Sequence, residues 1–362
     1  MSILLTALLI SCVQREREET FHNPIMDGGQ DADAIFYDGF YYYTHETGTS
    51  IRLWKTADIT DVRHADYGDI QIPGPTDYTN NIWHIDIRRI NDKWYIYYAA
   101  DNGTSDNHQI FVLECTGDDP LHDSYVQKGP IITNAEWNWA IHPSVFEFKG
   151  ELYMAWSGWP HRRISQETQC IYIARMANPW TLATERVMIS YPEYEWERQW
   201  INPNGGRTAY PIFVNEAPQF IASKDGGTAV IFYSASGCWT AFCCIGMLKN
   251  SSGNLLDPSA WQKSPEPVFS LDEDAGVWGP GAPSFIPSPD GTQWYMIYQA
   301  RSVANSDTRY EENSSPTPRL QPISWDDEGI PVLGRPLPLS QPVPKPSGTP
   351  RTPAPQSASA RH

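Results

Sequence analysis

The chain has 362 residues, more than one simple hydrophobic core usually holds, so two domains or one repetitive architecture is expected. Asp and Glu outnumber Lys and Arg by 43 to 26, a formal charge of -17, which excludes the basic surface that nucleic-acid proteins need. Aromatic residues make up 13% of the chain, with 15 Trp and 19 Tyr, more than packing alone calls for; flat, hydrogen-bonding rings suit flat, hydroxylated ligands such as sugars.

At the N-terminus, residues 3–10 form the longest apolar run, shorter than the roughly 18 residues a membrane span needs. The run reads as the hydrophobic part of an export signal covering residues 1–22, and Leu9-Ile10-Ser11-Cys12 offers a lipid anchor on Cys12 as the alternative. A secreted protein is therefore expected, and the sequons at Asn102, Asn250 and Asn313 are compatible with glycosylation.

Residues 23–335 carry a loose internal repeat. Aromatic strands are predicted at residues 40–43, 94–98, 152–156, 229–233 and 294–298, each preceded by a second apolar strand, at 34–37, 85–87, 144–146, 218–221 and 283–286. A third strand follows at 51–54, 109–113, 170–173 and 245–248. Five such units predict an all-β, five-bladed β-propeller rather than two packed sandwiches. The first strand of each blade lines the central channel, so Asp31, Asp86, His142, Glu216 and Ala282, at the five blade starts, should converge at one mouth. Beyond Arg335, residues 336–362 are Pro, Ser and Ala with almost no large apolar side chain, which predicts a disordered tail.

Six Cys are too few to build a fold of this size from disulfides. Cys238 and Cys243 could close a small loop, the neighbours Cys243 and Cys244 cannot easily bridge each other, and the pairing stays open. No CxxC pair or HExxH motif is present, so no structural zinc is expected.

Two carboxylates facing each other across a channel are the minimal machinery for hydrolysing a glycosidic bond: one protonates the leaving oxygen, the other deprotonates a water. Asp31, in Gly28-Gly29-Gln30-Asp31-Ala32-Asp33, has amides nearby that favour its ionised form and suits the base. Glu216, in Val214-Asn215-Glu216-Ala217-Pro218-Gln219, opens an apolar strand and suits the acid. Inversion at the anomeric carbon calls for a separation of roughly 6.5–9.5 Å between them.

The stretches Asp38-Gly39-Phe40-Tyr41-Tyr42-Tyr43, Leu53-Trp54-Lys55-Thr56, Trp156-Ser157-Gly158-Trp159, Tyr233-Ser234-Ala235-Ser236-Gly237-Cys238-Trp239-Thr240 and Lys263-Ser264-Pro265-Glu266-Pro267-Val268-Phe269 resemble glycoside hydrolase family 43. These are five-bladed propellers with inverting arabinofuranosidases, arabinanases and xylosidases among them; the chain looks most like the extracellular α-L-arabinofuranosidase branch. The resemblance implies the base at Asp31 and the acid at Glu216. It also implies sugar contacts from Trp83 and Asp86, in a segment the family writes Trp-Ala-Pro-Glu or Trp-Ala-Pro-Asp, and from Arg319. Trp239 is a further aromatic platform. The implied substrate is an arabinose- or xylose-containing polysaccharide acted on by a monomer, with no nucleic acid, membrane span or cofactor.

Two departures stand out. His142, in Ala140-Ile141-His142-Pro143-Ser144, occupies the place of the family's third carboxylate, which tunes the acid. Ala282, in Gly279-Pro280-Gly281-Ala282-Pro283-Ser284-Phe285, occupies that of a His that helps hold an ion or water on the axis, so no axial calcium is expected. Beside the hydrolase stand two other readings, a catalytically impaired sugar-binding propeller and a protein-interaction scaffold.

Overall fold

The computed structural model describes residues 19–74, 76–136, 139–162, 167–199, 212–304 and 315–351. The expectations for the export signal, Cys12, Asn313 and residues 352–362 fall outside these.

Five antiparallel meanders follow one another along the chain. The first runs Gln30–Tyr37, Phe40–Glu46, Ile51–Thr56, Asp66–Ile70; the second Asn80–Ile90, Lys93–Asp101, Gln109–Cys115, Tyr125–Gln127. The third comprises Ala140–Phe148, Glu151–Gly158, Glu167–Asn178 and Val187–Ser190; the fourth Ile212–Ala222, Ala229–Ala235, Cys244–Asn250 and Gln262–Lys263; the fifth Trp278–Pro287, Trp294–Arg301 and Thr317–Pro322. A short parallel ladder, Thr168 opposite Phe213 and Gln169 opposite Val214, ties the third meander to the fourth.

Among the described residues the hydrophobic core is not one mass but separate clusters, five of the larger ones lying between consecutive meanders. Tyr42, Leu53, Ile85 and Trp94 fill the layer between the first and second, and Tyr97, Val112, Met154 and Trp156 that between the second and third. Ile171 and Tyr233 join the third to the fourth, and Phe232 and Tyr298 the fourth to the fifth. Tyr41, Tyr43, Tyr295 and Ile297 fill another, between fifth and first. Successive side chains of a strand point to opposite faces, so a strand covered on both faces reads as an unbroken aromatic run. Tyr41 and Tyr43 enter one layer and Tyr42 the other.

This revises the meaning of the aromatic excess. Trp94, Trp156, Trp159, Tyr41, Tyr43, Tyr97, Tyr98, Tyr233, Tyr295 and Tyr298 are fully buried, so packing, not ligand binding, accounts for most of it. Each ring removes about 150–250 Å² from water, worth about 4–6 kcal/mol at about 25 cal/mol per Å².

The N-terminus reaches the fifth meander. Asn23 Nδ2 donates to the Leu320 carbonyl (2.9 Å), the Leu320 N–H to Asn23 Oδ1 (2.8 Å), and the Ile25 N–H to the Pro318 carbonyl (3.0 Å), so the first residues complete the outer edge of the last meander. The Pro-rich tail is not wholly disordered, as its composition suggested. Val343–Pro344 pairs with Thr20–Phe21, Val343 is buried, Leu337 packs on the core layer between fifth and first meanders, and Lys345 Nζ reaches Asp58 Oδ2 at 2.6 Å. Proline has no N–H to satisfy, so such a segment can cover a sheet with two or three apolar anchors and few ladder bonds. The folded unit thus begins before residue 23 and continues to residue 351. Asn250 is fully buried, its amide donating to the Asn254 carbonyl (2.9 Å), which removes it as a glycan site.

Candidate active site

The first strand of every meander breaks register with its neighbour, and at a matching break in each a residue lies in the left-handed region: Asp31 (φ 51°), His84 (40°), His142 (52°), Ala217 (49°) and Ala282 (46°). A β-bulge inserts one residue, bends the strand and re-aims its side chain. For a residue with a Cβ the conformation costs about 1–2 kcal/mol, and at three of the five positions a side chain of the preceding meander holds it. Gln299 Oε1 accepts from the Asp31 N–H (2.8 Å), Ser157 Oγ from Ala217 (3.1 Å) and Ser234 Oγ from Ala282 (2.7 Å). Each acceptor follows the last aromatic residue of a second strand, in Tyr298-Gln299, Trp156-Ser157 and Tyr233-Ser234, a signal the repeat carries in plain view.

The bulges correct the repeat alignment. The second-meander equivalent of Asp31 and His142 is His84, not Asp86. Asp86 stands two residues deeper, level with Asp33, Ser144, Gln219 and Ser284, and these five form a buried polar column along the axis. Ser284 Oγ donates to Asp33 Oδ1 (2.6 Å), Ser144 Oγ to Gln219 Oε1 (3.3 Å) and the Val145 N–H to Asp86 Oδ2 (3.1 Å). Arg88 joins the column, its guanidinium 2.9 Å from Asp33 Oδ2 and 2.5 Å from Asp86 Oδ1. Asp86 is fully buried and its carboxylate serves Arg88 and Val145, so it makes no sugar contact. Beyond the column, at the opposite end of the axis, lies a cavity of about 600 Å³ lined by Arg88, Phe146, Phe220, Phe285, Trp294 and Trp325. The polar groups that could do chemistry gather instead at the bulge end.

At that end, His142 Nε2 lies 3.2 Å from Asp31 Oδ2. His142 Nδ1 is 3.5 Å from Ser157 Oγ, the hydroxyl that holds the bulge next to Glu216. Burial opposes charge on His142, yet Asp31, by charge and hydrogen bond, and Glu216, by charge, raise its pKa. Burial likewise opposes charge on Asp31, but His142, then His84 and Glu46, hold its carboxyl below the usual range. Asp31, His142 and Glu216, each at most 7% exposed, therefore share one electrostatic site.

Glu216 Oε1 accepts from the Cys238 N–H at 3.0 Å. That amide belongs to a loop closed by a Cys238–Cys243 disulfide, which settles the pairing left open by the sequence. Arg301 Nη1 donates to the Cys238 carbonyl (2.8 Å) and fixes the loop from the fifth meander. Gly281 makes room for it: a Cβ there would stand 2.5 Å from both sulfurs.

Trp239, in the same loop, and Trp83 are half-buried near the mouth. Trp83 stacks on His108 with ring centres 4.0 Å apart. Arg319 is not part of this group. It is fully buried in the third strand of the fifth meander and donates to Ser302 Oγ (3.0 Å), so it has no surface to offer a sugar.

His84 was the residue least visible beforehand. Its ring is 2% exposed, stands edge-on to His142 with centres 5.2 Å apart, and neither nitrogen has a hydrogen-bond partner. Burial, reinforced by His142, pushes its pKa down to about 4, so it is neutral near pH 7. These donors do not fit calcium, which takes six to eight oxygen ligands: Ala282 offers none, and two of the three donors that converge are nitrogens.

Residues 21–331 match the family described as glycosyl hydrolases family 43, and the chain belongs to that family. It is 31% identical over 334 residues to an extracellular exo-α-(1→5)-L-arabinofuranosidase of Streptomyces avermitilis, covering 88% of this chain and 64% of that one. It is 30% identical to α-L-arabinofuranosidase B of Pyricularia oryzae, over 71% of this chain and 50% of that one. The chain thus spans about half to two thirds of the length of these relatives. The crystal structure of an α-L-arabinofuranosidase from Lactobacillus brevis superposes with a TM-score of 0.76 at 30% identity, covering 89% of this chain and 98% of that one. A thermostable family-43 glycoside hydrolase, 21% identical, shares the fold at a TM-score of 0.70. The fold is a β-propeller.

Proposed function

We propose that the chain is a five-bladed propeller hydrolase that releases terminal α-L-arabinofuranosyl residues, with β-xylosyl residues as the alternative, from plant cell-wall polysaccharide outside the cell. The observation that carries this is the convergence of Asp31 and Glu216 on His142 at one mouth. The arabinofuranosidase names of the relatives in Streptomyces and Pyricularia support the sugar, and the word extracellular in the former supports secretion.

In this reading Asp31, held ionised, takes a proton from a water that attacks the anomeric carbon. Glu216 protonates the leaving oxygen from the other side, and the product has inverted configuration. Trp83 and Trp239 offer aromatic faces to the sugar ring. A second reading, a propeller that binds sugar but turns it over poorly, draws on the same contact: the His142 ring sits on an oxygen of the proposed base.

The test is hydrolysis of aryl α-L-arabinofuranoside and aryl β-D-xyloside, with the product anomer followed by proton NMR. Asp31→Asn and Glu216→Gln should each lower kcat about 10²–10⁴-fold with unchanged melting temperature. An inert protein that still binds arabino-oligosaccharide would replace the hydrolase by the binder, and a retained anomer would overturn the roles of the two carboxylates.

A further inference from the structure

We propose that Asp31, His84 and His142 form a binding site for a divalent first-row transition ion, of which zinc is the representative. One donor atom from each residue, all three within 4.8 Å of one another, gathers at the bulge end of the axis. Two imidazole nitrogens and one carboxylate oxygen are a donor set that zinc and its neighbours accept and calcium and magnesium do not favour.

Geometry carries the proposal beyond a mere cluster. Zinc holds nitrogen and oxygen at about 2.0–2.2 Å, so tetrahedral ligands stand about 3.3 Å apart. Asp31 Oδ2 and His142 Nε2, 3.2 Å apart, already meet that spacing. The widest pair must close by about 1.5 Å at most.

The residue best able to supply that movement is His84, whose ring is buried with both nitrogens unpartnered, so a small rotation breaks no hydrogen bond. A buried polar group without a partner costs about 1–3 kcal/mol, and an ion between the three residues would remove that cost. His142 also has outer support: Nδ1 faces Ser157 Oγ at 3.5 Å, the kind of contact that orients a ligating imidazole. Three protein donors leave a fourth position open toward the mouth.

Backbone placement explains why these side chains meet although they are far apart in the chain. All three sit on left-handed bulges at equivalent points of three first strands, so the same re-aiming that brings Asp31 to the mouth brings both rings. The site shares Asp31 with the proposed base but needs no substrate, so metal binding and hydrolysis can fail independently of each other.

The experiment is isothermal titration of EDTA-stripped, substrate-free protein with zinc sulfate, in a background where the exposed pairs His64–Asp61 and His122–Asp119 are removed by His64→Gln and His122→Gln. One zinc per chain is expected, with magnesium and calcium failing to compete. His84→Phe should weaken binding about a hundredfold or more, since loss of merely an outer-shell contact costs 10–100-fold, without lowering the melting temperature of the metal-free protein. Zinc-edge anomalous diffraction should place the ion among the three residues. No stoichiometric binding, competition by calcium, or unchanged affinity in His84→Phe would overturn the proposal. Should that variant not fold, His84→Gln is titrated in its place and read by the same criteria.

Discussion

Arg88 offers the sharpest test of how the axis is held. Its side chain is 18% exposed while those of Asp33 and Asp86 are 1% and 0% exposed, so the pair of carboxylates has little water to turn to. The guanidinium also donates to the carbonyls of Val145 and Ile87, both at 2.7 Å, and so ties the second meander to the third. Burial, with Asp33 beside it, pushes the Asp86 carboxyl up to about 8, so near pH 7 the charged pair is Arg88 with Asp33, worth roughly 6 kcal/mol of gross Coulomb energy at an effective dielectric near 20. Desolvation returns several kcal/mol per ion, so the pair adds little net stability relative to apolar residues. Removing one partner alone is different. Arg88→Met keeps most of the stem but strands the buried Asp33 carboxylate beside Asp86, and is expected to cost about 3–5 kcal/mol, a fall of roughly 4–7 °C in melting temperature for a domain of this size. Differential scanning calorimetry and guanidinium unfolding would measure it. Because the loss is assigned to uncompensated charge, Arg88→Met combined with Asp33→Asn and Asp86→Asn should recover more than half of it. A single-variant cost below about 1 kcal/mol, or no recovery in the triple variant, would show that the column is held by packing and that the electrostatic reasoning is wrong.

His142→Asn, assayed in EDTA, tests the contact with the proposed base. The ring's charge and hydrogen bond keep the Asp31 carboxyl low, so their removal should raise its pKa, and the ascending acid limb of kcat/KM should move to higher pH; a limb that stays in place would mean that Asp31 is not the group whose ionisation it reports. Truncation after residue 335 removes Leu337, Val343 and the Lys345–Asp58 ion pair and uncovers the core layer they pack on. It should destabilise the fold by about 2–4 kcal/mol, read as a lowered melting temperature, and an unchanged temperature would restore the view of the tail as an appendage.

What was legible in the sequence was whatever local chemistry encodes. Strand runs such as Trp94-Tyr95-Ile96-Tyr97-Tyr98, the turns between them, and two carboxylates in unusual settings can all be read within ten residues. The resemblance placed Asp31 and Glu216 in their motifs for the same reason. What local chemistry cannot encode is a side chain's depth. Asp86 and His84 lie two residues apart in one strand, yet a bulge sends one into the axial column and the other to the mouth, and the extra residue that makes the bulge has no distinctive letter: Asp, His, His, Ala and Ala all occupy it. Arg319 looked like a surface reader of sugar and is sealed by its neighbours. The aromatic excess looked like ligand binding, and only the packing of the meanders against one another revealed that many rings have protein on both sides. The contacts of the first meander with the fifth, Asn23 against Leu320 and Asp31 bound to Gln299, join residues 297 and 268 positions apart. Such contacts are the sum of every intervening twist and turn, so tertiary structure alone decides which polar groups finally face one another.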